Sequence, residues 1–130
     1  MRPRIRTIKP ELFRDQKLQR LPREQRLLFI GLFVHADDHG RLEADPALIR
    51  SVVFPCDQDV TVKKVASWLS SLDEHGFIRL YQAGSEPFLD LPKWTRHQKV
   101  DRPSDSLIPP YDEREESTNG RAGRTVRVPT

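Results

Sequence analysis

The order of elements between Pro22 and Pro92 constrains this chain most: three apolar-periodic helical stretches, then a single β-hairpin. The third helical stretch runs into the hairpin through His75-Gly76. Helix and hairpin must therefore pack against each other within one small core.

Local signals set the boundaries. In the first stretch Pro22 sits in the opening turn, where its missing N–H costs nothing. Leu27, Leu28, Phe29, Ile30, Leu32, Phe33, Val34 and Ala36 follow, with Gly31 between them. That is more apolar surface than one stripe, so this helix is predicted to be central. It ends near Asp37-Asp38-His39-Gly40, where Gly40 suits the left-handed terminal conformation. Arg41-Leu42-Glu43 is too short for an independent strand but fits a third strand beside the hairpin. The second helix starts at Asp45-Pro46, a cap followed by a preset φ, and Phe54-Pro55 stops it. The third starts at Asp59 or Thr61 and carries Val62, Val65, Ala66, Leu69 and Leu72 at helical spacing up to Gly76. Strands are predicted over Phe77 to Gln82 and Phe88 to Leu91, with Ala83 to Pro87 as the loop. Ile78 and Leu80 alternate with Arg79 and Tyr81, which predicts one buried and one watered sheet face.

This order is that of an α+β fold, a winged helix-turn-helix with a three-helix core and a C-terminal β-hairpin wing. The predicted core is Leu28, Ile30, Phe33, Leu48, Val52, Val65, Leu69, Leu72, Ile78 and Leu80. Residues 1–20 read as a basic N-terminal arm, 21–110 as the domain with a basic extension, and 111–130 as a disordered polar tail.

The net charge is only +3, but it is segregated. Residues 1–20 hold seven Arg and Lys against Glu11 and Asp15. Lys93, Arg96, Lys99 and Arg102 stand against Asp101. Acids collect at Asp37-Asp38, Asp57 to Asp59, Asp73-Glu74 and Asp112 to Glu116. Such segregation suggests a face for a polyanion; ordinary surface charge is the plain alternative. No apolar run is long enough to span a membrane. The single cysteine, Cys56, excludes an internal disulfide and reads as a buried or half-buried structural thiol.

No catalytic constellation emerges. His35 and His39, flanking Asp37-Asp38, have metal-like spacing, but the turn at Gly40 explains them through capping and solvation. Phosphate-binding and nucleophile motifs are absent. The chain reads as a binding protein, not an enzyme, with no cofactor and no metal.

The predicted partner is double-stranded DNA. In a winged helix the N-terminal half of the third helix faces DNA, here offering Lys63, Lys64 and Ser67. These suit phosphates better than bases, because helix three lacks the Arg, Asn or Gln of bidentate readout. Its acidic end, Asp73-Glu74, is expected to point away. The tip Gly84-Ser85-Glu86-Pro87 holds an acid and no base, leaving Arg79 as the wing's candidate contact. Arg2, Arg4 and Arg6 are candidates for a minor-groove arm, with Lys93, Arg96 and Lys99 as phosphate contacts.

Three segments carry a resemblance: RIRTIKPELFRD from Arg4, LLFIGLFVHADDHGRL from Leu27 and LPKWTRHQKVDRPSDSLIP from Leu91. Over residues 4–109 the chain resembles the N-terminal winged-helix module of phage replication-initiation and replisome-organiser proteins, which are DnaD-like. The spacing of Trp94, His97, Gln98, Asp101 and Pro103 is the most specific part. The resemblance implies origin DNA binding in the cytoplasm of an infected bacterial host, with replication proteins as further partners. Larger members add a second helical domain, so this sequence is expected to be either a fragment or a small protein that keeps the DNA-binding part. A small phage transcriptional regulator and a winged helix that contacts a host factor are alternative functions. Many such domains pair, so a homodimer is an expected state, although no heptad or clean apolar patch marks its interface.

Overall fold

Helix α3 (Arg23–His35) occupies the centre of the computed structural model, which describes residues 1–112. Leu28, Phe29, Leu32 and Phe33 are all buried, as the breadth of the helix's apolar surface requires. Its Gly31 has a packing role: a Cβ there would lie 2.8 Å from Val53 Cγ1. The glycine lets α4 (Pro46–Val53) approach closely. Asp45 caps α4 through the N–H groups of Ala47 and Leu48. Thr61, not Asp59, caps α5 (Val62–Glu74) by accepting from Lys64 N.

Strand β1 (Arg41–Glu43), β2 (Arg79–Ala83) and β3 (Glu86–Asp90) form one antiparallel sheet in the order β1-β3-β2. The loop is shorter than predicted, because Glu86 and Pro87 already belong to β3 and pair with Ala83 and Gln82. On the inner face Leu42, Leu80 and Leu89 meet the helices and are buried. The fold is thus α+β, with a small three-stranded sheet against helices.

Several expectations are corrected. The hairpin is not C-terminal: after β3 comes α6 (Trp94–His97), and the chain then returns across the sheet. Consequently the outer sheet face is not left to water. Tyr81 Oη donates to Pro109 O at 2.6 Å, Arg41 Nη1 donates to Ile108 O at 3.1 Å, and Tyr111 lies edge-on to Tyr81. Tyr81 and Phe88, both on that outer face, are buried. Tyr111 is therefore part of the packed structure; the rest of the predicted tail, 113–130, lies outside the described residues.

The third correction concerns residues 1–20, which are not a separate arm. Short α1 (Glu11–Arg14) and α2 (Gln16–Gln19) bring Leu12 and Leu18, with the following Leu21, into the core. The Arg4 N–H donates to Val34 O. The predicted core is otherwise present, except that Ile30, Leu48 and Val52 are only half-buried. Cys56 is exposed, not buried, in the turn after α4 whose residues 55–59 are all exposed.

Candidate nucleic-acid interface

The structure separates two sets among the basic residues that the sequence singles out. One set is consumed by internal ion pairs. Arg6, its side chain 5% exposed, donates through Nη2 to Asp38 Oδ1 and to Ala36 O, both at 3.0 Å. Its guanidinium also lies 4.9 Å from the Trp94 ring centroid. Arg4, half-exposed, reaches Asp38 Oδ2 at 3.3 Å. Arg79 makes a bidentate pair with Asp90 at 2.9 and 2.7 Å, which strand register places opposite it. Its guanidinium also covers Tyr111 at 4.2 Å. Arg6 is therefore a core element rather than an arm residue, and Arg79 is a sheet-face tie rather than a free wing contact. The reason is the same in both cases: a buried carboxylate needs a partner, and these guanidiniums supply it.

Asp38 is the hub of this arrangement. The Ser104 N–H donates to Asp38 Oδ2 at 3.0 Å. That bond, followed by the Arg6 and Arg4 guanidiniums, holds its carboxyl below the usual range against the opposing effect of burial. Its backbone carbonyl accepts from Trp94 Nε1 at 2.8 Å. Asp37 accepts from the N–H groups of His39 and Arg41 and from Ser106 Oγ. The histidines are engaged as well, His35 with Gly31 O and His39 with Ser104 O. The His35–His39 segment is thus a tertiary junction. On the sheet's outer face, burial first and the Asp90 charge second push the Tyr81 hydroxyl pKa upward.

The second set is exposed and makes no ion pair among the described residues: Arg2, Lys63, Lys64, Lys93, Arg96 and Lys99, with Ser67 exposed beside the α5 lysines. Lys64 Nζ does donate to Asp59 O at 2.8 Å, which fixes it over the first turn of α5. Lys9 and Lys17, not singled out from the sequence, join this set. They came from the N-terminal basic run, and the fold brings them to Lys93 and Arg96 around one cleft of about 590 Å³. Lys9 Nζ donates to Arg96 O at 2.7 Å, tying the two runs directly.

The cleft is walled by α1 and α2, the α5–β2 turn and α6. Its base is aromatic. His97 lies 4.8 Å from Phe33 and 5.9 Å from Phe29, and Phe77 lies 5.5 Å from Phe29. Burial, and then the Lys93 and Lys9 charges, push the His97 pKa below its ordinary value, with Asp15 opposing. Lys63 and Lys64 stand apart from this cleft. They lie in the first turn of α5, whereas His75 and Gly76 at its other end line the cleft. At 1.5 Å per residue the separation along the helix is about 18 Å.

The motif Trp94, His97 and Gln98 is explained by packing. Trp94 sits against Gly40, His97 on the phenylalanines, and Gln98 on Thr7. Comparison with protein-family models, with curated proteins and with solved structures gives no match.

Proposed function

We propose that this protein binds double-stranded DNA, chiefly through its phosphates, as a winged-helix-like module acting in phage replication initiation. The observation that carries the reading is the convergence of Lys9, Lys17, Lys93 and Arg96 from two distant basic runs onto one surface, with no ion pair to any of them among the described residues. Holding like charges together opposes folding through self-repulsion, and a polyanion removes that repulsion on binding. The element order, with β1 beside the hairpin, accords with the winged-helix reading. Lys63, Lys64 and Ser67 offer phosphate contacts at the far end of α5, and Lys99 extends the basic surface. The replication role rests on the sequence resemblance, which also supplies the host cytoplasm as the place of action.

A titration of labelled duplexes across salt concentrations tests this reading. If about six phosphates are neutralised, log K falls against log salt with a slope of roughly −5. Lys63→Ala with Lys64→Ala, and Lys93→Ala with Arg96→Ala, should each weaken binding to all sequences alike. Salt-insensitive binding, or none at low salt, overturns the proposal. A second reading, contact with a host or replication protein, draws on the exposed Ile5, Ile8 and Phe13 of the N-terminal segment. It predicts no useful DNA affinity.

A further inference from the structure

The cleft has features that phosphate contact alone does not require. At about 590 Å³ it lies within the size range of small-molecule pockets. Phe29 and Phe33 are buried beneath it, while Phe77 and His97 keep part of their surface open. Both open rings rest against Phe29. His97 lines the cleft, and neither of its ring nitrogens has a hydrogen-bond partner among the described residues, so its ring keeps a donor and an acceptor unused there. The rim sets four cations, Lys9, Lys17, Lys93 and Arg96, against two carboxylates, Glu11 and Asp15, so its balance is positive; Asp15 also caps α2 by accepting from Leu18 N.

An open aromatic surface under a cationic rim matches a planar ring carrying a phosphate. We propose that the cleft takes one unpaired nucleotide, with its base against Phe77 and His97 and its phosphate on Lys93 and Arg96. Base-on-aromatic stacking tolerates any base, because every base has a π-face, and a basic groove tracks the backbone. A paired base cannot reach this surface, since its faces are covered in the stack. The proposal rests on the DNA-binding reading for the source of the nucleotide: a frayed or single-stranded stretch beside a duplex. A free nucleotide has the same chemistry.

The test uses the full chain with four probes: a blunt duplex, the same duplex with a five-thymidine tail, deoxythymidine monophosphate and inorganic phosphate. Affinity is read by fluorescence anisotropy and the His97 ring by its imidazole proton shifts. The tailed duplex should bind at least about fivefold tighter than the blunt one and move the His97 signals. Lys93→Ala with Arg96→Ala, both exposed positions, should erase the tail preference without lowering the melting temperature. Movement of His97 by the monophosphate without any tail preference assigns the cleft to free nucleotides. If no DNA binds while the monophosphate moves His97, the cleft assignment stands and the DNA reading falls. Equal affinity for blunt and tailed duplexes, with His97 unmoved by the tail and by the monophosphate, overturns the cleft proposal and leaves the DNA reading intact. Inorganic phosphate moving His97 as far as the monophosphate does overturns the base-stacking part.

Discussion

Gln98 and Thr7 hold each other through both ends of one amide. Thr7 N donates to Gln98 Oε1 at 3.0 Å, and Gln98 Nε2 donates to Thr7 O at 2.7 Å. Thr7 Oγ1 adds a third bond to the same Oε1. The side chain thus acts as a short piece of partner strand for the N-terminal segment, and it is 5% exposed. Gln98→Ala should leave both Thr7 backbone groups to water at a cost of about 1 kcal/mol. The sharper readout is hydrogen exchange at Arg4 and Thr7, which should accelerate while the α5 amides stay protected. Unchanged exchange at both positions would mean that the segment is held elsewhere.

Arg6 should behave as a core residue and not as a DNA contact. Arg6→Ala strips Asp38 of its buried partner and should cost about 3 kcal/mol, because a broken buried pair leaves an unmatched charge. Arg2→Ala, at an exposed position, should be within about 0.5 kcal/mol of neutral. Chemical denaturation of the two variants compares them directly. Equal stability of the pair would return Arg6 to the arm.

Gly40 has a φ of +77°, and an added Cβ would fall 2.7 Å from Trp94 Cγ. Gly40→Ala combines left-handed strain with overpacking and should cost about 2–4 kcal/mol. Gly84→Ala has comparable positive φ but open space around it. It should show only the backbone part, about 1–2 kcal/mol. The difference in melting temperature isolates the Trp94 contact.

Stability should fall in two acid windows. The His97 pKa is lowered on folding from 6.5, so the unfolded chain takes up its proton first. The His97 contribution is therefore complete above about pH 6.5 and is lost as pH drops from there through the folded value. The Asp38 pKa is also lowered on folding, from 3.8. Its stabilisation is present above that value and disappears as pH falls through the folded one. Urea midpoints followed from pH 7.5 to 5.5 should decline, and His97→Gln should flatten that decline while leaving the more acid loss in place.

Leu69 is fully buried in α5. Leu69→Ala should cost about 2–5 kcal/mol as a large-to-small core change. A loss under about 0.5 kcal/mol would contradict the packing of α5 against α3.

Helices α3, α4 and α5 and the hairpin were legible in the sequence because their signals are local. Asp45-Pro46 caps and presets α4 within three residues. Val65, Leu69 and Leu72 mark one face of α5 by spacing alone. The sequence was also sufficient to find the basic runs and the apolar breadth of α3. It could not show which cations remain unpaired. Arg6 and Lys9 look alike in one run, yet Arg6 closes on Asp38, 32 residues away, while Lys9 reaches the carbonyl of Arg96, 87 residues away. Arg79 reads as a free residue on an outward strand face until the return of the chain puts Pro109 and Tyr111 over that face. Local conformation follows from neighbours along the chain, through sterics, caps and periodicity. Pairing of charges and covering of faces depend on which distant segments the folded core brings within about 3–5 Å, and only the tertiary structure decides that.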